Sequence, residues 1–288
     1  MFSFFSEGKS SAPAREKGVY ASQAVHESSV GSNTLRDMPI NDPWIFCFAI
    51  VGAHHSMSLL GNVFLAVVYR YDLFPNRRLY KERNIPPRAL TSGALRDLLI
   101  ASLVTQPLAT WFLLYPVCVW RGMQYFPPVP NPWWAALYVA VAVVVAFFLN
   151  DTFNYWTHRM LHHRWFYKSI HKKHHLFTTD CVGLTSEYNH PVEQVISTLC
   201  TLVPIVMLGL DLVSASVFLF FRTWEVLDEH CGYRFPSPFG GEHSRRHDFH
   251  HARSGMNNLG MFRFWDWLMG TNKNYKAYLQ KLQAKAAD

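Results

Sequence analysis

The sequence predicts an all-α fold: an integral membrane helical bundle carrying a cytosolic, histidine-rich helical cap. Three observations predict it. Half of the 288 residues are hydrophobic and only 16% are charged, against about 25% charged in typical globular domains. The apolar residues gather in runs long enough to cross a bilayer, which takes roughly 20 residues of helix. Twelve of the fifteen histidines fall between residues 158 and 251, mostly one, three or four apart; separations of three and four share a helix face.

Residues 1–43 are rich in Ser, Gly and Ala without sustained periodicity and are expected to form a flexible tail. Met1–Phe5 lacks a basic n-region and a long apolar core, so no cleaved signal peptide is expected. The first span is Trp44–Tyr69. Its His54-His55 pair would be costly against lipid, so both imidazoles are expected to face the bundle interior, bonded to a neighbouring helix or lining a substrate pocket. Leu98–Trp120 is the second span, with kinks expected at Pro107 and Pro116. A turn-rich connection, Phe126–Pro132, leads to the third span, Trp133–Leu149, which opens on paired tryptophans suited to a membrane interface.

A fourth apolar run, Val195–Phe221, lies between histidine clusters that must reach one site, so it must enter and leave on one side. Its 27 residues are too few for two full spans of roughly 20. It is read as a shallow re-entrant hairpin broken at Pro204 and Gly209–Asp211. The expected organisation is a membrane-embedded domain over 44–278, its cap formed by 150–194 and 222–278, followed by a tail over 279–288.

Charge sets the orientation. Arg70, Arg77, Arg78, Lys81, Arg83, Arg88 and Arg96 crowd one short segment, whereas the 121–132 connection carries only Arg121. This is the positive-inside pattern, with 70–96 in the cytosol. It explains the formal charge of +7 without nucleic acid. The third span then returns to the cytosol, and His158, nine residues beyond Leu149, stands about 14 Å further along a continued helix. The five cysteines are scattered without a CxxC pair, which fits reduced thiols in a packed interior rather than a disulfide framework.

The histidines carry the chemistry. His158 and His162 are i, i+4, whereas His163 is rotated about 100° away. His171, His174 and His175 form an i, i+3, i+4 triad, as do His247, His250 and His251. These eight could supply three or four ligands to each of two metal ions, and imidazole suits iron, zinc and copper. His190 and His230, taken alone, read as structural residues. Asp151, Glu187, Asp228 and Asp248 are candidates to orient ligands, because a metal-bound imidazole usually donates its other N–H to a carboxylate, carbonyl or water. A structural zinc would need four ligands, usually including cysteine, and a b-type haem only two histidines. A dinuclear redox site fits the pattern best.

At these residues the chain resembles the membrane fatty acid hydroxylase/sterol desaturase superfamily, whose pattern is HxxxH, HxxHH and HxxHH beside the membrane. Within it the chain is most similar to the C-4 methylsterol oxidases. The segments that carry the resemblance are Trp165–His175, Gly183–Glu193, Glu225–Pro236 and Trp265–Thr271. The resemblance implies ten metal ligands: His158, His162, His171, His174, His175, His190, His230, His247, His250 and His251. It implies two iron ions, O₂, and electrons from NAD(P)H through an external carrier, cytochrome b5 with its reductase. The implied reaction is oxidation of a sterol C-4 methyl group at the endoplasmic reticulum membrane, followed by a separate C-4 decarboxylase. A C-5 sterol desaturase or a fatty acyl hydroxylase would share such a site, and a non-enzymatic metal-binding membrane protein would share its ligands. The approach to the third box, Gly240–His247, departs from the family by its length and by His243. Met256–Met261 departs from it as well.

Overall fold

Three of the long helices begin with a capping side chain directly before a proline. Asp42 accepts from the Trp44 N–H at 2.9 Å ahead of α1, Pro43–Arg70. Asn131 accepts from Trp133 and Trp134 ahead of α4, Pro132–Leu161. His190 accepts from Val192 ahead of α5, Pro191–Leu208. The side chain satisfies an orphan donor of the first turn, and the proline supplies helical φ where no N–H is needed. Between α1 and α4 run α2, Ser92–Ile100, a π-helical turn at Ala101–Thr105, and α3, Gln106–Arg121. α6, Leu212–His230, then α7, His243–Arg253, α8, Arg263–Leu268, and α9, Lys273–Ala287, complete the order. The computed structural model describes residues 42–79, 92–178, 180–239, 242–253 and 255–287. The expected N-terminal tail, except Asp42 and Pro43, lies outside the described residues, as do Lys81, Arg83 and Arg88 of the basic segment.

Among the described residues there is no strand, only an isolated antiparallel bridge between Arg78 and Tyr233. Among the described residues, four helices are long and apolar enough to cross a membrane: Pro43–Arg70, Leu95–Arg121, Pro132–Leu161 and Pro191–Leu208. Their apolar side chains stay largely outward; Val141, Val144 and Phe148 of α4 are exposed. In water such a surface would be prohibitive, and in lipid it is the expected one. The chain is a multi-pass membrane helical bundle.

The kink expected at Pro107 takes the form of the π turn just before it. Proline cannot donate to the carbonyls one turn back, and the Ser102 carbonyl is bonded instead by His55 Nε2 at 2.6 Å. α4 has 30 residues, about 45 Å, so it outruns a hydrocarbon core of about 30 Å and carries its last turns into the cap.

The hairpin differs from the sequence expectation in depth. Its arms, α5 and α6, have 18 and 19 residues, about 27–28 Å each. Its tip is bound to the connection that follows α3. Arg121 Nη1 donates to the Val206 carbonyl at 2.7 Å, and the Leu212 N–H donates to the Gln124 carbonyl at 2.9 Å. The hairpin therefore runs the depth of the bundle. Counting the apolar run omitted the first turn of α5 and the last two turns of α6, whose polar residues face protein rather than lipid. The segment expected as a C-terminal tail is likewise helical through Ala287, as the second half of α9.

Around the hairpin tip, α1, α3, α4, α5 and α6 share an apolar core that includes Phe46, Leu114, Ala146, Ile205 and Phe218. All five cysteines are buried, and none is in a disulfide. At the opposite end α1 closes on Cys231 and Tyr233 through Leu65 and Val68. There the cap begins.

Candidate metal centre

Nine of the histidines converge on two centres. His158 and His162 at the end of α4, His171 and His175 in the 3-10 turn His171–Leu176, and His250 of α7 form a group of five. His174 of that turn, His230 at the end of α6, and His247 and His251 of α7 form a group of four. Adjacent residues on a helical turn point about 100° apart. The pairs His174-His175 and His250-His251 are accordingly divided between the two groups, a partition that the spacing left open.

Within the five, Nε2 atoms lie 3.1 Å apart between His158 and His171, 3.0 Å between His162 and His171, and 3.1 Å between His162 and His250. Within the four, His247 Nε2 is 3.1 Å from that of His230 and 3.0 Å from that of His251. These are the separations that ligands of one ion keep when each stands about 2.1 Å from it.

The other ring nitrogens fix the tautomers. The Nδ1–H of His158 donates to the Leu259 carbonyl at 2.9 Å, that of His250 to Asn257 at 2.7 Å, that of His251 to Phe177 at 3.0 Å and that of His230 to Val226 at 3.0 Å. His171 Nδ1 faces the Glu193 carboxylate at 2.7 Å. A carbonyl oxygen can only accept, so the proton sits on Nδ1 and Nε2 presents its lone pair. Lone pairs facing each other at 3.1 Å repel unless a cation lies between them. Burial, reinforced by neighbouring imidazoles, pushes His162, His171, His174, His175, His247, His250 and His251 below the ordinary histidine range. They are neutral, as ligands must be. The donor set fits two metal ions, and a set of imidazoles alone suits a transition metal rather than magnesium or calcium.

The remaining site residues fall elsewhere. His190 is in neither group; its Nδ1 accepts from Val192 as the cap of α5. His163 accepts from the Trp165 N–H and is also outside both. Asp151 accepts from the Phe262 N–H at 3.2 Å, and Asp228 accepts from the Ser237 hydroxyl at 2.9 Å. Glu187 accepts from Gln106 and Gln194. Asp248 is buried in α7. The Nδ1 atoms of His158, His171, His230, His250 and His251 bond to Glu193 or to main-chain carbonyls, which sequence reading passed over. Glu193 could have been found as a carboxylate in the first turn of a helix beside the second box. The carbonyls have no sequence signature.

Asp266 was also missed. It is fully buried and accepts from the N–H groups of Leu259 and Gly260, the Thr271 hydroxyl and Arg246. It thereby shapes the 257–262 segment that presents two of those carbonyls.

Both groups open on a cavity of ≈190 Å³ that reaches down between the helices. His158, His171, His174, His230 and His247 line its upper end. Lower down, His54 bonds Thr223 at 2.9 Å and Gln106 at 3.1 Å. It therefore combines both roles weighed for it, bonded between helices and lining the cavity.

A fatty acid hydroxylase family model matches residues 143–271, which hold every histidine of the two groups. A very-long-chain aldehyde decarbonylase of Oryza sativa subsp. indica is 33% identical over 234 residues, covering 77% of this chain and 84% of the relative. The chain belongs to the fatty acid hydroxylase family. Methylsterol monooxygenase 2-1 of Arabidopsis thaliana is 31% identical over 255 residues, covering 80% of this chain and 90% of its own. The C-4 methylsterol oxidase of Schizosaccharomyces pombe is 33% identical over 233 residues, covering 74% of each. No solved structure matches the chain. Family membership makes it an enzyme of the oxidase class, and the histidine groups are where that family member would hold metal.

Proposed function

We propose that this enzyme is a diiron C-4 methylsterol monooxygenase of the endoplasmic reticulum membrane, with its metal end facing the cytosol. The observation that carries the proposal is the pair of histidine groups opening on a cavity whose wall holds hydrogen-bonding side chains at the metal end. Asn154 and Thr157 of α4, together with Asn189 and Glu229, line the cavity along with His158. A sterol with its 3-hydroxyl next to the reacting C-4 methyl group has partners there. The apolar rings would continue toward Ile50, Leu202 and Leu219.

The group of five would hold one iron and the group of four the other; together they would supply O₂ activation. The chain's own residues orient that site. Glu193 and the Leu259, Asn257, Phe177 and Val226 carbonyls fix ring rotation, and the helix walls exclude water from the oxidised carbon. Electrons would come from cytochrome b5 and its reductase, and a separate C-4 decarboxylase would take the product.

A second reading has support in the aldehyde decarbonylase relatives, which match at equal identity. One experiment separates the two. Membranes containing the protein, cytochrome b5, reductase and NADPH are given 4,4-dimethyl and 4α-methyl sterols in one arm and very-long-chain aldehydes in the other. Oxygen-dependent 4-hydroxymethyl and 4-carboxy sterols are expected. Hydrocarbon from the aldehyde arm with unchanged sterols would replace the sterol reading with the second one.

A further inference from the structure

His243 belongs to neither histidine group, yet it is buried among charges. It opens α7, one turn before His247. Its Nε2 lies 2.8 Å from Glu225 Oε1 and 3.4 Å from Glu229 Oε1. Glu225 is fully buried on α6, and its other oxygen takes Arg222 Nη1 at 2.6 Å. Glu229 adjoins His230, and its Oε1 stands 3.8 Å from His247 Nδ1. Glu225, Glu229 and His230 thus follow one another along the end of α6. His243, His247 and His251 recur at i, i+4 and i+8 along α7, on one face.

We infer that the Glu225–His243 pair is a clasp that sets the position of α7 against α6, and through it the metal affinity of the four-histidine group alone. The selectivity follows from where the ligands come from. The four-histidine group needs α6 and α7 in register, because His230 comes from one and His247 and His251 from the other. The five-histidine group takes no ligand from α6. Its α7 ligand, His250, is fastened separately by Asn257, and Arg246 of α7 by Asp266. His243 is a positioning residue that acts through His247. The inference rests on reading the two groups as metal sites and is independent of the substrate.

The test is metal affinity of the full-length protein in detergent, loaded anaerobically with Fe²⁺ and titrated with a competing chelator. Wild type is expected to hold two ions per chain; failure to hold any would sink the metal reading itself and not just the clasp. His243→Gln places an amide N–H near the position of Nε2 and is expected to keep both affinities. His243→Asn is too short to reach Glu225. It is expected to leave one ion at wild-type affinity and weaken the other about 10–100-fold, the usual effect of losing an outer partner of a metal site. Equal behaviour of the two variants, or equal weakening of both ions, overturns the clasp. Should His243→Asn fail to fold, Glu225→Asp, which draws the acceptor back, is read in the same titration. Selective weakening supports the clasp, and two unchanged ions overturn it.

Discussion

The five-histidine group takes its ligands from α4, the 171–176 turn and α7, whereas the four-histidine group draws on α6 in place of α4. Their supports differ accordingly. The first leans on Glu193 and on carbonyls of the 257–262 segment. The second leans on the Val226 and Phe177 carbonyls, with the Glu229 carboxylate 3.8 Å from His247 Nδ1. Two groups that share a turn and a helix thus rest on different outer partners.

The largest effect expected is loss of a ligand. His162→Ala and His174→Ala remove one ligand from different groups, and each is expected to reduce oxygen-dependent oxidation to the level of membranes lacking the protein. Each should still bind the ion of the untouched group. Substantial turnover in either variant would show that one group suffices and that the comparison does not concern catalysis.

A support shared by loop and helix comes next. Asp266 is buried against Arg246 and holds two N–H groups of the 257–262 segment. Breaking such a buried pair typically costs about 3–5 kcal/mol, so Asp266→Ala should lower the thermal unfolding midpoint markedly. Iron should leave the five-histidine group first, because that group depends on the Leu259 and Asn257 carbonyls. An unchanged midpoint would mean that this segment is held by something else. Glu193→Gln is milder. It preserves an acceptor for His171 but removes the charge, and about tenfold weaker metal binding at the five-histidine group is expected. Weakening at the four-histidine group instead would undo the partition.

How much of this was legible in the sequence varies with the physics involved. Hydropathy marks lipid contact, so the three spans and the apolar half of the hairpin could be read. It cannot mark polar helix that faces protein, so the continuation of α6 through Arg222–His230 carries no hydropathy signal. Spacing of three and four brings His158, His162 and both triads to notice, but the four carboxylates, Asp151, Glu187, Asp228 and Asp248, are candidates by nearness in sequence. Glu187 turned to Gln106, 81 residues away, and Asp151 turned to the Phe262 N–H, 111 residues away. Partners at such distances follow from helix packing. His190, which the resemblance implies as a ligand, caps α5 through Nδ1, because Pro191 commits the next residues to helix and leaves an N–H that the imidazole can take.

The smallest effect expected lies furthest from the histidines. Gly209 turns α5 into α6 with φ of +60°, a region where a side chain costs about 1–2 kcal/mol. A Cβ there would also stand 2.8 Å from Arg121 Nη2, the side chain that holds the hairpin tip. Arg121 is long and can move, so Gly209→Ala should lower stability modestly while metal affinity at both groups stays at wild-type values. α5 and α6 join the tip to the cap, and they pack along α1, α3 and α4. A change in metal binding at either group after this substitution would show that the hairpin moves as one rigid lever. The apolar core and the histidine cap would then have to be treated as a single mechanical unit.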